Sequence, residues 1–172
     1  MLHTPLISAL REVSGWYRDQ EKSMGSLGGS IGRGAVAGIA GTVVMTGFQR
    51  FVEMPLSGRE ESYQPAELVE KVIGRETKQP GRRVLNHVAH FGVGAAWGAA
   101  HGATAHAGIR GPWTVAAVFG VLWPSDVSSM VLLGLGEPPW RWSRQDLAID
   151  VADKLVLAVA TGAAYEALCR RG

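Results

Sequence analysis

Residues 84–109 read VLNHVAHFGVGAAWGAAHGATAHAGI and carry no formal charge when their histidines are neutral. A helix rises about 1.5 Å per residue, so this stretch is long enough to cross a bilayer of roughly 30 Å. Gly94, Gly98 and Gly102 recur every four residues within it, and we call them the glycine ladder. Small residues on one helix face let a second helix approach closely in lipid. The stretch therefore predicts a membrane-spanning helix with a packing surface.

Apolar stretches of similar character flank this one on both sides. Hydrophobic residues make up 47% of the 172-residue chain, which also contains 23 glycines and 6 tryptophans. This composition is typical of packed membrane helices with interfacial aromatic residues. We therefore predict a single all-α domain, an antiparallel bundle of four transmembrane helices, with a soluble helical bundle as the alternative. The three further candidate spans are residues 34–53, 113–134 and 145–168.

The chain before the first span divides into two parts. Residues 1–23 carry apolar side chains at helical spacing, which predicts an amphipathic helix lying in the membrane interface or packed on the protein's own body. Residues 24–33 are rich in Gly and Ser and predict a flexible hinge. Within the first span, Gly34 and Gly38 form a GxxxG pair suited to helix packing.

Several function classes are disfavoured by composition. The net charge of +2 is small and the basic residues form no stripe, so nucleic acid is not an expected partner. Cys169 is the single cysteine, which excludes an intrachain disulfide and a thiolate zinc cluster. No HExxH or similar ligand pattern occurs, so no catalytic residue and no metal other than haem iron is predicted. These observations favour a non-enzymatic membrane protein.

One cluster has the chemistry of a haem site. His87, His90 and His101 fall within an arc of about 60° on a helix that turns ~100° per residue. The glycine ladder borders the same arc, and a haem needs both imidazole ligands and room beside the backbone. The second axial ligand would have to come from a dimer, since the other spans contain no histidine. The alternative is that the glycines pack helices and the histidines are hydrogen-bonded bundle residues.

A second cluster is ionisable. Asp126, Asp150, Asp153 and Lys154 lie within or at the edge of predicted spans. Charges in a membrane are costly and normally face the bundle interior or water, and with titratable histidines they could relay protons. The alternative is structural: Asp150 and Lys154 stand at i,i+4 and form a pair that fixes helix register.

Residues 53–59, EMPLSGR, follow the first span and carry an E-x-P-L-x-x-R pattern. This pattern resembles the turn of the YagU-like small bacterial inner-membrane proteins, although Ser57 and Gly58 replace that family's proline pair. The His-bearing second span and the Pro-Pro-Trp turn before the last helix extend the resemblance. It implies a multi-pass inner-membrane location and a loose link to acid tolerance, and it implies no catalytic residues. The matching residues of the turn are Glu53, Pro55, Leu56 and Arg59.

Three functions follow as hypotheses. The leading one is a non-enzymatic inner-membrane protein with a role in envelope or acid-stress physiology, as the resemblance implies. The alternative is a haem b-binding electron-transfer subunit that uses the three clustered histidines. The third is a small proton or ion pathway. In each case the expected partners are the lipid bilayer and further copies of the chain or other subunits of a membrane complex.

Overall fold

The computed structural model describes residues 26–171, and every regular element within them is helical. The predicted all-α class and helical bundle are thus confirmed, whereas the amphipathic helix predicted at residues 1–23 lies outside the described residues. A 3-10 turn, Pro139–Arg141, precedes the last helix. The five helices are α1 (Leu27–Phe48, continued by a π-helical turn Gln49–Glu53 and an α-helical turn Met54–Ser57), α2 (Gln64–Ile73), α3 (Gly81–His106), α4 (Pro112–Leu132) and α5 (Arg144–Arg171).

The first helix begins earlier than the sequence predicts. The Ser26 hydroxyl accepts a hydrogen bond from the Gly29 N–H at 3.0 Å and so caps the helix. Ser30 and Gly34 are buried on the side that faces α3. The prediction of a hinge at residues 24–33 is therefore wrong from Leu27 onward, because capping and packing outweigh the low helix propensity of glycine.

α1 lies between α3 and α5 and runs antiparallel to both. Gly34 meets the Gly98 carbonyl of α3, whereas Gly38, one turn later, meets the earlier Gly94 carbonyl. Towards α5, Gly41 packs on Thr161. α1 is consequently the central helix of the bundle, and its small residues set its distance from both neighbours.

The glycine ladder of α3 is in backbone contact with α1. A Cβ atom added at Gly98 would lie 2.6 Å from the Gly38 Cα and would overlap the Gly34 carbonyl oxygen. A Cβ at Gly102 would overlap the Ser30 carbonyl oxygen in the same way. The ladder is thus covered within one chain, and it needs no second copy to be buried.

The remaining helices are held by polar contacts as well as by packing. Asn86 of α3 accepts a hydrogen bond from the Ala66 N–H at 3.1 Å and donates one to the Ser62 carbonyl at 3.0 Å, which ties the start of α2 to α3. α4 packs mainly on α5, where the Trp123 indole N–H donates to Asp150 at 2.8 Å. α4 continues through Pro124 to Leu132.

Within residues 26–171, two helices are long and apolar enough to cross a membrane: Leu27–Ser57 and Pro112–Leu132. α3 is not one of them, because its histidines and the arginines of its first turn lower its mean hydropathy. α5 carries charges in its first turns. Large apolar side chains of α1, α4 and α5 are exposed, among them Val36, Val43, Val44, Val121, Leu132 and Val159.

The ladder contact can be tested with two alanine substitutions in the same helix. We expect Gly98→Ala to lower the free energy of unfolding by about 1–3 kcal/mol, because its Cβ would overlap α1. Gly92→Ala is the control, since nothing lies within 4 Å of that position. Alanine there should be neutral or stabilising by up to about 1 kcal/mol. Thermal unfolding in detergent compares the two, and equal effects would contradict the packing described.

Candidate functional site

A cavity of about 520 Å³ lies at one end of the bundle, where α1 and α4 end and α3 and α5 begin. Its deepest residues include Thr42 and Gly94, which contact each other where the close approach of α1 and α3 stops. Glu60 and Glu61 line its exposed mouth. The cavity therefore reaches from one end of the bundle towards its middle.

The lining of this cavity is acidic. Six carboxylate side chains line it against three basic ones, so its formal charge is negative when the two lining histidines are neutral. α1, α4 and α5 each contribute at least one of the acids. The acids are Glu53, Glu60, Glu61, Asp126, Asp150 and Asp153, and the bases are Arg50, Arg59 and Lys154.

Lys154 binds two of these carboxylates at once. Its Nζ lies 3.2 Å from Asp126 Oδ2 and 3.2 Å from Asp150 Oδ1. The second oxygen of Asp150 accepts the indole N–H of Trp123. The structure thus contains the i,i+4 pair that the sequence suggested, and it adds Asp126 from α4. This triad joins α4 to α5, and its three side chains are 20–27% exposed.

Asp153 has a different environment. It is 7% exposed, and its Oδ2 accepts a hydrogen bond from the Gln49 amide at 2.8 Å. No donor among the described residues reaches Oδ1. The Glu53 carboxyl group is hydrogen-bonded to Asp153, and such a bond requires a proton on one of the two acids. The buried Asp153 carboxyl at the cavity wall therefore has a neutral amide and a second acid as its partners, and it forms no ion pair with a Lys or Arg of the described residues.

The turn that resembles the YagU-like pattern forms one side of the cavity mouth. Gly58 adopts a left-handed conformation with φ of 70° and ends the helix. Arg59 then folds back, so that its guanidinium lies 3.8 Å from Glu53 and contacts Asp146 in the first turn of α5. Leu56 is exposed, and Pro55 lies at the start of the final turn of the helix.

The three histidines of the predicted haem site do not share one environment. His87 is exposed and bonded to the Arg83 carbonyl at 2.8 Å, and His90 bonds Thr46 at 3.2 Å across the cavity. His101 is buried beyond the ladder contact, with its ring 5.3 Å from that of Tyr165. The haem hypothesis required free space beside the glycine ladder, and α1 occupies that space. Within residues 26–171, no group of three or more His, Cys, Asp or Glu residues is placed to hold a metal ion.

Sequence reasoning missed three residues that organise the cavity: Gln49, Thr46 and Trp123. Each is a hydrogen-bond partner of a predicted site residue from another helix. A signal was available for Gln49, which is polar and stands four residues before Glu53, about one helical turn away. The partners of Thr46 and Trp123 lie on other helices. The sequence of one span does not show which helices are its neighbours.

Comparison of the chain with models of protein families, with characterised proteins and with solved structures found no match. Membership of the YagU-like family therefore stays a prediction. The function proposed below rests on the cavity.

The Lys154 triad makes a testable contribution to stability. We expect Lys154→Met to lower the free energy of unfolding by about 3 kcal/mol, because two half-buried carboxylates would lose their cation. Arg141→Met is the control, since its pair with Glu137 at 3.9 Å is exposed on both sides and contributes at most about 1 kcal/mol. Thermal unfolding in detergent measures both, and a Lys154→Met protein as stable as the control would contradict the assigned role.

The occupied ladder also predicts the outcome of haem addition. Protein purified from membranes and incubated with haem should give no Soret band that shifts on reduction, because α1 fills the space a macrocycle needs. Absorption spectra of the oxidised and reduced protein measure this. A shifting band that disappears in His87→Ala or His101→Ala would show instead that α1 can leave the ladder.

Proposed function

We propose that the chain is a multi-pass inner-membrane protein in which α1, α3, α4 and α5 cross the bilayer, and that it admits protons or another small cation into its cavity from one face. Two helices have the length and apolar content of spans. The exposed valines and leucines of α1, α4 and α5 would face lipid tails. Asp150, Asp153 and Lys154 of α5 support its inclusion, because these three charged side chains line the cavity.

The observation that carries the proposal is the convergence of carboxylates from three helices on one cavity. Glu53 comes from α1, Asp126 from α4 and Asp153 from α5. Intramembrane acids are costly wherever they lie, and they mark ion pathways and proton relays when they share an interior cavity. A negative lining also concentrates cations from solution. The cavity thus has the sign and the position expected of a cation pathway.

The pathway is open on one side. The mouth carries exposed residues, whereas the backbone contact of α1 and α3 leaves no gap at the glycine ladder. A cation that enters would reach the middle of the bundle and stop there. Passage to the other face would then need the helices to move, as in alternating access.

The physiological role implied by the resemblance is compatible with this mechanism. A protein that takes up protons or cations from one face of the inner membrane would bear directly on acid-stress or envelope physiology. No catalytic residue is required for such a role. The alternative of an electron-transfer subunit has no comparable support, because the ladder is filled.

Flux in proteoliposomes tests the proposal. Protein is reconstituted with an internal pH indicator, a negative-inside potassium diffusion potential is imposed, and the influx of protons and of methylammonium is followed. We expect Asp153→Asn to reduce the protein-dependent influx by about 100-fold, the lower end of what a positioned proton-transferring group contributes. The substitution keeps the shape of the side chain and a partner for Gln49.

Glu166→Gln is the matched control, because Glu166 lies on the same helix, is exposed and does not line the cavity. Its influx should equal that of the unaltered protein. If the influx of protons and of methylammonium were both no faster than in empty liposomes, the proposed pathway would be refuted.

A further inference from the structure

We propose that the cavity binds a small organic cation, with a primary ammonium group held by Asp153 and an apolar body packed on the inner wall. This inference rests on the proposed function and names the class of cation that the cavity would accept. It is drawn from three independent features: an acid that forms no ion pair among the described residues, an apolar wall beside it, and a volume too large for a bare ion.

Asp153 is a buried acid of the cavity that forms no ion pair within the part of the chain that the structure describes. Lys154 is used by Asp126 and Asp150, and Arg59 is used by Glu53 and Asp146. Among residues 26–171, no Lys or Arg forms an ion pair with Asp153, whose hydrogen-bond partner is the neutral Gln49 amide. Asp153 lines the cavity, its side chain is more than nine-tenths buried, and the Glu53 carboxyl is hydrogen-bonded to it. An ammonium group would supply this pair of acids with a donor and with a positive charge.

The wall beside Asp153 is apolar. Met45, Leu122 and Leu157 form the buried hydrophobic cluster of the bundle, and Trp97 packs against it. All four line the cavity. A hydrated inorganic cation gains nothing from such a wall, whereas a hydrocarbon group placed against it is removed from water. The site therefore matches a ligand with a charged end and an apolar end.

The size and the donor set also disfavour a bare metal ion. A cavity of about 520 Å³ falls within the range of roughly 300–1,000 Å³ that is usual for small-molecule sites. Calcium and magnesium need about six oxygen ligands at roughly 2.0–2.6 Å. The carboxylates of the described residues are not grouped closely enough for a metal ion.

Calorimetric titration of the full-length protein in detergent tests the inference. The probes are 2-phenylethylammonium, butylammonium, the neutral analogue 2-phenylethanol, and the chlorides of sodium and magnesium. We expect saturable binding of both ammonium compounds, and binding of 2-phenylethanol weaker than that of 2-phenylethylammonium by about tenfold or more, since a buried charge-assisted hydrogen bond is lost. This comparison needs no variant and so does not depend on folding of a mutant.

Asp153→Asn then locates the ammonium group. It should weaken binding of 2-phenylethylammonium by about tenfold or more and leave that of 2-phenylethanol unchanged, whereas Glu166→Gln should change neither. Equal affinities for the ammonium compound and the alcohol, or competition by millimolar magnesium, would overturn the inference, as would the absence of saturable binding.

The titration tests the organic-cation site and the flux assay tests the pathway, so each proposal can be refuted without the other. Proton influx without ammonium binding would overturn the organic-cation assignment and leave the pathway standing. Ammonium binding without influx of either cation would support the site and overturn the pathway.

Discussion

The contact on which the bundle depends is the close approach of the α1 and α3 backbones. Carbonyl oxygens of one helix occupy the space where the other would carry Cβ atoms, at Gly34, Gly38 and Gly98. In lipid, association of helices relies on such van der Waals packing, because the surroundings are as apolar as the side chains. The contact fixes the distance of α1 from α3, and it leaves no room for a ligand between these two helices at the ladder.

The same contact determines where the cavity can form. It ends at Thr42 and Gly94, beyond which the facing side chains become larger and polar. α1 then passes into a π-helical turn, Gln49–Glu53, a form that is rare and frequent at functional sites. Both terminal residues of that turn line the cavity. Tight packing at the ladder and separation of the helices beyond it thus belong to one arrangement, which leaves the cavity at this end of the bundle.

Features that depend on a single segment could be predicted from the sequence, whereas contacts between helices could not. Helical class, the i,i+4 pair of Asp150 and Lys154, and the importance of the glycine ladder could be seen within single segments. The partner of the ladder could not, since glycine beside histidine suits a haem and a neighbouring helix equally. The helical start of α1 was missed because its cap and its packing surface outweigh glycine's weak propensity. Gln49 and Trp123 were missed because their roles exist only across helices.

The acids of the cavity differ in their partners, and this difference is the strongest indication of the function of the cavity. The Lys154 triad is sufficient to fix helix register, and in it one lysine pairs with both acids. Asp153 is more deeply buried and has a neutral amide as its hydrogen-bond partner, with the Glu53 carboxyl beside it. Burying a carboxylate in this way lowers stability unless a positive charge offsets it. Lys154 and Arg59 already pair with other acids, so Asp153 either takes up a proton or recruits a cation from solution.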